Sequence, residues 1–349
     1  MSNNNHKIVC TIGPATIDKI EELVKAGMTH ARVNCSHGGA EGNRGTFEIL
    51  KKVRKEKNLD FVIMLDTKGP DVRIGKFKDG GVDLDVGQTF TITTDDCIGT
   101  KDRVWVQCEP LPRVVKPGQV VLLSDGKIRA VVTAIKGNDV ITKIELGGRL
   151  TDRKTLFAPN CDLGLPFMAD YDKADLKLGK ELGMEMVAAS FVGSAKDIQE
   201  MKEFMRANGG EVPIIAKIES SDGIKNLEEI LDACDGIMVA RGDLGVEFPL
   251  SFPFMQRKML ASAKNKGKFS IVATEMMESM ITTPRPTRAE VTDITLAIWQ
   301  GADATMLSAE TAVGKFPVEA VQYMKKIQLE AARTDADNYD LVLKQRGVK

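Results

Sequence analysis

The stretch VPIIAKIES, residues 212–220, reads as a buried strand that ends in two charges. Side chains alternate across a strand, so Lys217 and Glu219 share one face while Ala216 and Ile218 share the other. A lysine and a carboxylate on one face of an apolar strand are either an internal ion pair or two groups aimed at a site. Runs of the same kind recur along the chain: KIVCTIG from 7, HARVNCS from 30, FVIMLDT from 61, EMVAASF from 185, PIIAKIE from 213, GIMVARG from 236, SIVATEM from 270 and ATMLSAE from 304. Helical patterns lie between most of them. In PTRAEVTDITLAIWQG, residues 286–301, Thr287 and Glu290 have capping-box spacing, Val291, Ile294 and Ile298 form a stripe, and Gly301 follows the end. Pro317 opens another helix, with Val318, Val321 and Met324 in phase.

Eight apolar strands, nearly all followed by amphipathic helices, predict an α/β fold of the (β/α)8 TIM-barrel type; a doubly wound parallel sheet is the alternative. The rhythm breaks once, between the runs that start at 61 and 185. Residues 70–159 read instead as short alternating strands punctuated by glycine and proline, with no convincing helix. The expected organisation is a barrel of residues 1–69 and 160–349 with an all-β lid domain, 70–159, inserted after the third strand.

Composition sets the outer limits. Hydrophobic residues make up 43% of the 349 residues, charged residues 28%, and the formal net charge is −1. That balance is ordinary for a globular protein and points to neither nucleic acid nor a membrane surface. The longest apolar runs are strand-length and the opening MSNNNHK is polar, so the expected location is cytoplasmic. Six scattered cysteines without a C-x-x-C pair are expected to be reduced thiols.

In a barrel the carboxyl ends of the strands face the active site, and polar residues crowd there in this sequence. The second strand alternates Arg32, Asn34 and Ser36 against Ala31, Val33 and Cys35, with His37 following. The third ends in Asp66, Thr67 and Lys68, the sixth in Arg241 and Asp243, and the seventh and eighth add Thr274, Ser308 and Glu310. Unpaired burial of such charges costs several kcal/mol each, so their convergence makes sense around a charged ligand and metal ions. Phosphate-loop, nucleophile-elbow and dinucleotide fingerprints are all missing. Three histidines, none at metal-ligand spacing, argue against a soft metal site; Glu219 and Asp243, on neighbouring strand ends, suit Mg²⁺ or Mn²⁺. Arg32, Lys217 and Arg241 supply cationic groups for a phosphate, and Gly242 lets main-chain N–H groups approach an anion.

With these residues in place, the sequence closely resembles the pyruvate kinase family. KIVCTIGPAT, ARVNCSHG, LDTKGPDVRIG, IIAKIES, VARGDLGVE, ATEMMESM, PTRAEVTD and MLSAETAVGKFP occur in family order over nearly the whole chain. The resemblance implies transfer of the phosphoryl group of phosphoenolpyruvate to ADP, giving pyruvate and ATP, with Mg²⁺ (or Mn²⁺) and K⁺ as cofactors. It implies that Arg32 holds the phosphate and that Asn34, Ser36, Asp66 and Thr67 bind the monovalent cation. It assigns Glu219 and Asp243 to Mg²⁺, and the main chain of Ala240, Arg241, Gly242 and Asp243, with the Thr274 hydroxyl, to the substrate carboxylate. His37, Arg73 and Lys154 would face the nucleotide. Lys217 would neutralise the phosphoryl group in the transition state, and Thr274, Ser308 and Glu310 would serve a water chain that protonates the enolate.

The sequence also departs from the family pattern. The family's further C-terminal α/β domain has no counterpart before Lys349, so no sugar-phosphate effector site is expected, and a barrel-to-barrel homodimer or a monomer is expected in place of a tetramer. TDRKTLFAPN carries Thr155 and Phe157 where glycine and asparagine are usual; Ala309 replaces a glycine; Asp71 replaces the commoner glutamate and points to K⁺ dependence. The competing readings are a metabolite-binding homologue with weakened turnover, and a lyase or mutase of the phosphoenolpyruvate/pyruvate barrels.

Overall fold

The computed structural model describes residues 6–333. The polar amino-terminal MSNNN and the chain after Arg333 lie outside the described residues. Contacts divide the chain into two compact units. One is built from the residues up to Gly69, from Met168–Arg241 and from the residues after Leu250; the other from Pro70–Phe167 and Gly242–Leu250.

The first unit is a closed parallel barrel of β1 (Lys7–Thr11), β2 (His30–Asn34), β3 (Val62–Asp66), β4 (Met186–Ala189), β5 (Ile214–Ile218), β6 (Gly236–Ala240), β7 (Phe269–Ala273) and β8 (Ala304–Leu307), each paired with its neighbours in chain order and β8 with β1. Closure leaves no sheet edge and excludes the doubly wound alternative, which has two. The strands are apolar because both faces are covered. Val9, Met64, Ala188, Ile215, Met238, Ile271, Ala304 and Met306 form one packed cluster. Two residues further along six of these strands, at the same parity, come Thr11, Asp66, Ser190, Lys217, Ala240 and Ser308. A single alternation therefore builds an apolar plug and, one layer above it, a ring dominated by polar groups.

The helix Arg288–Trp299 has the expected capping box and buries Ile294, Ala297 and Ile298, with Val291 half-buried. The box does more than cap. Glu290 accepts from Thr287 N at 2.6 Å and also from Ser279 N at 2.8 Å and Ser279 Oγ at 2.6 Å, so one carboxylate ties the helix start to the turn after β7.

The second unit has its own core, including Phe90, Ile92, Val104, Val121, Leu123, Ile128 and Leu150. A six-stranded sheet runs in the order Leu156–Phe157, Val120–Leu123, Ile128–Lys136, Asp139–Leu146, Thr89–Thr93, Arg103–Trp105; Gly81–Leu84 pairs separately with Gly148–Thr151. One helical turn, Leu111–Val114, interrupts the β pattern, opened by Pro110 and Pro112. The returning chain packs on this core through Cys161, Leu163 and Leu165. Thr155 closes a left-handed turn: its hydroxyl donates to Asp125 Oδ1 at 2.8 Å and accepts from Asp125 N at 2.9 Å, where Ser124 and Asp125 have φ of 53° and 56°. All six cysteines are free thiols.

Partial burial works to raise the pKa of Glu290, but the donors from Ser279 and Thr287 outweigh it and hold the carboxyl below its ordinary range. A lowered folded-state value means that this knot stabilises fully above the usual glutamate pKa, about 4.3, and fades as pH falls through the lowered value. Glu290→Gln is expected to lower stability at neutral pH by about 1 kcal/mol and to flatten the acid limb of the stability curve, measured by urea unfolding from pH 3 to 7. An unchanged acid limb would show that Glu290 does not set it.

Candidate active site

Asp66 ends β3 with no exposed surface. Its Oδ2 accepts from Arg32 Nε at 2.6 Å and its Oδ1 from Lys217 Nζ at 3.1 Å. Burial alone would raise its pKa; the Arg32 and then the Lys217 charge more than offset this and hold it below the usual carboxylate range. A second Arg32 nitrogen donates to Thr11 Oγ1 at 2.8 Å. Lys217 Nζ lies 2.7 Å from Ser190 Oγ and 3.1 Å from Glu219 Oε1, so the two charges of the opening stretch do pair. The other Glu219 oxygen accepts from Phe191 N at 2.7 Å. Phe191 has φ +54°, an uncommon conformation for a bulky residue, and it occurs where the chain turns at the end of β4 to aim that N–H.

Beside this network lie the residues expected to hold a monovalent cation. Asn34 and Asp66 are register partners on β2 and β3. Asn34 Oδ1 accepts from Ser36 N at 3.1 Å, and Thr67 Oγ1 accepts from Ser190 N at 3.0 Å. Every side-chain donor atom available to a cation here is oxygen, which suits a hard ion. Glu219 fits Mg²⁺ on the same ground. Among the described residues no group of three or more His, Cys, Asp or Glu gathers, and Mg²⁺ held by one or two carboxylates with substrate oxygens does not ask for one.

Arg241 follows β6, and its guanidinium is committed within the barrel unit. It pairs with Asp293 and donates to the carbonyls of Thr274, at 2.9 Å, and Glu275, at 2.7 Å. Those two residues have φ of 69° and 51°, so the arginine braces a strained turn after β7. The side chain expected to serve a phosphate is here held by Asp293 and two carbonyls of the turn. In the same turn Thr274 Oγ1 donates to Ala273 O at 2.6 Å. Three residues on, Met277 N donates to Glu310 Oε1 at 3.0 Å, while Ser308 N donates to Glu310 Oε2 at 2.7 Å. The Ser308 hydroxyl is shut off from solvent and makes no hydrogen bond among the described residues.

Gly242 and Asp243 belong to the helix Arg241–Glu247, most of which falls in the second unit, whereas the sequence rhythm assigns them to the barrel. The reason is contact: a side-chain carbon on Gly126, φ +77°, would stand 3.2 Å from Val246, and Glu247 accepts from Asn160 N at 3.4 Å. Arg73 and Lys154 are also in that unit, on adjoining segments: Ile74 N donates to Lys154 O at 2.9 Å and Arg73 bridges Thr155. Arg73 holds Asp71 at 2.5 Å. His37 is an exposed residue of the barrel unit.

Sequence reasoning missed Ser190, Phe191 and Asp293. Ser190 was within reach, because it follows the apolar run of EMVAASF at a strand's carboxyl end, the position that singled out Asp66.

Comparison with known proteins gives the family. The family described as "PK: Pyruvate kinase, barrel domain" matches residues 3–321. A pyruvate kinase of Thermotoga maritima is 42% identical over 330 residues, covering 94% of this chain and 71% of its own. One of Clostridium perfringens is 38% identical over 338 residues, covering 95% and 71%, and one of Leishmania mexicana is 40% identical over 332 residues, covering 93% and 66%. Matched in this way from β1 to the helix after β8, the chain belongs to the pyruvate kinase family.

Proposed function

We propose that the groups around Lys217 carry out the family's reaction, transfer of the phosphoryl group of phosphoenolpyruvate to ADP to give pyruvate and ATP. The observation that supports this most is the ammonium of Lys217, shared by Asp66, Glu219 and Ser190 at the carboxyl end of the barrel, with Arg32 on the far side of Asp66. Phosphoryl transfer asks a protein to position groups in line and to stabilise spread negative charge, tasks for fixed cations rather than for a covalent nucleophile.

Asp66 has a structural part in this reading: it stays ionised and aims two cations. Arg32 receives the substrate phosphate. Lys217 parts from Glu219 and turns to the oxygen that bridges phosphorus and the enol carbon, where charge develops as the bond breaks. Glu219 and Asp243 would hold Mg²⁺, and Asn34, Ser36, Asp66 and Thr67 would hold K⁺; the two ions would supply further positive charge for an anionic substrate. The main chain at Ala240, Arg241, Gly242 and Asp243, with the Thr274 hydroxyl, receives the carboxylate. Proton delivery to the enolate carbon falls to Thr274, Ser308 and Glu310; the buried, unpartnered Ser308 hydroxyl supports that role, since it has capacity for a bound water. His37, Arg73 and Lys154 serve the nucleotide phosphates.

No described helix is long and apolar enough to cross a membrane. The substrates are multiply charged and soluble, in keeping with a cytoplasmic enzyme.

Lys217→Met is expected to lower turnover by roughly 10²-fold or more while phosphoenolpyruvate still binds, read from kcat and from substrate titration. Unchanged kcat would remove Lys217 from the mechanism. Glu219→Gln is expected to raise the Mg²⁺ concentration needed for half-maximal rate about tenfold or more, and an unaltered Mg²⁺ titration would count against the metal assignment.

A further inference from the structure

We infer that Ser190 is a positioning residue for Lys217, fixing the direction of its ammonium without neutralising it; the inference rests on the role given to Lys217 above. A lysine ammonium only donates, so at 2.7 Å the Ser190 oxygen must be the acceptor. That leaves the hydroxyl one proton. It lies 2.6 Å from Thr67 O and 3.3 Å from Asp66 Oδ1, and the shorter contact takes it. With its proton committed to a carbonyl, the hydroxyl presents only lone pairs to Lys217.

The serine itself has little freedom. Its N–H donates to Thr67 Oγ1 at 3.0 Å, and a side-chain carbon on Gly69 would stand 2.9 Å from its Cβ, so it is wedged against the turn after β3. The next residue, Phe191, gives its N–H to Glu219. The corner at the end of β4 thus holds the ammonium, through Ser190, and one carboxylate that balances it, through Phe191.

The physical consequence concerns charge. Asp66, Glu219 and Ser190 each stand within reach of the ammonium, two of them charged and one neutral. When Lys217 leaves Glu219 for the substrate, Asp66 and Ser190 stay beside the ammonium and hold its direction. Asp66 cancels positive potential while doing so and already serves Arg32. Ser190 is neutral, so it orients the charge and leaves its field for the phosphoryl group. Losing it leaves substrate binding by Arg32 in place and misdirects the group that acts as the bond breaks.

The test is a double-mutant cycle of Ser190→Ala and Lys217→Met, with kcat and KM for phosphoenolpyruvate measured at saturating ADP, Mg²⁺ and K⁺, and thermal unfolding followed for each variant. Ser190→Ala is expected to lower kcat about tenfold and to leave KM within about twofold. In the Lys217→Met background the same change is expected to alter kcat by less than about twofold, because the group it acts through is gone. Ser190→Cys keeps the shape with a weaker acceptor and is expected to show the same pattern, which keeps the test available if the alanine variant folds poorly. Equal losses in both backgrounds, or an unchanged kcat in the Ser190 variants, would overturn the inference alone. A Lys217→Met enzyme with undiminished kcat would instead overturn the proposed function on which it rests.

Discussion

The active end of this barrel is organised by one buried carboxylate shared between two cations. Asp66 has no exposed surface and would be costly to ionise there alone. Arg32 and Lys217 reverse that cost, and in return Asp66 fixes both of them from opposite oxygens. Arg32 comes from β2 and Lys217 from β5, so the carboxylate on β3 joins strands that are not neighbours in the sheet. Glu219 and Ser190 also contact Lys217, and Thr11 accepts from Arg32.

That arrangement follows from strand alternation in a closed sheet. Inward residues at one level are apolar and pack; two residues later the same face carries Thr11, Asp66, Ser190, Lys217 and Ser308. The barrel and the inserted β domain were legible because each strand is a short apolar run and the one long gap carries a different period. Asp66, Lys217 and Glu219 were legible as charges that a core strand would otherwise not tolerate. Ser190 obeys the same alternation, but a lone serine at a strand end also reads as an ordinary turn residue, so parity had to be applied to small polar groups as well as to charges.

Other features depend on contacts that no local pattern encodes. Arg241 looks like a phosphate ligand in the RGDL stretch, yet Asp293 and two carbonyls of a left-handed turn take its guanidinium. Phe191 has a positive φ and its N–H donates to Glu219, and nothing in EMVAASF announces either. The Gly242–Leu250 segment follows a barrel strand in sequence but packs with the inserted β domain through Gly126 and Asn160, more than eighty residues away. Thr155 closes a left-handed turn in that domain through both its hydroxyl contacts to Asp125.

The most direct measurement is to incubate the purified chain with phosphoenolpyruvate, ADP, Mg²⁺ and K⁺ and to quantify ATP and pyruvate in the same samples over time. Charge-stabilised phosphoryl transfer at Lys217 predicts the two products in equal amounts. Pyruvate without ATP, or neither product, would contradict it.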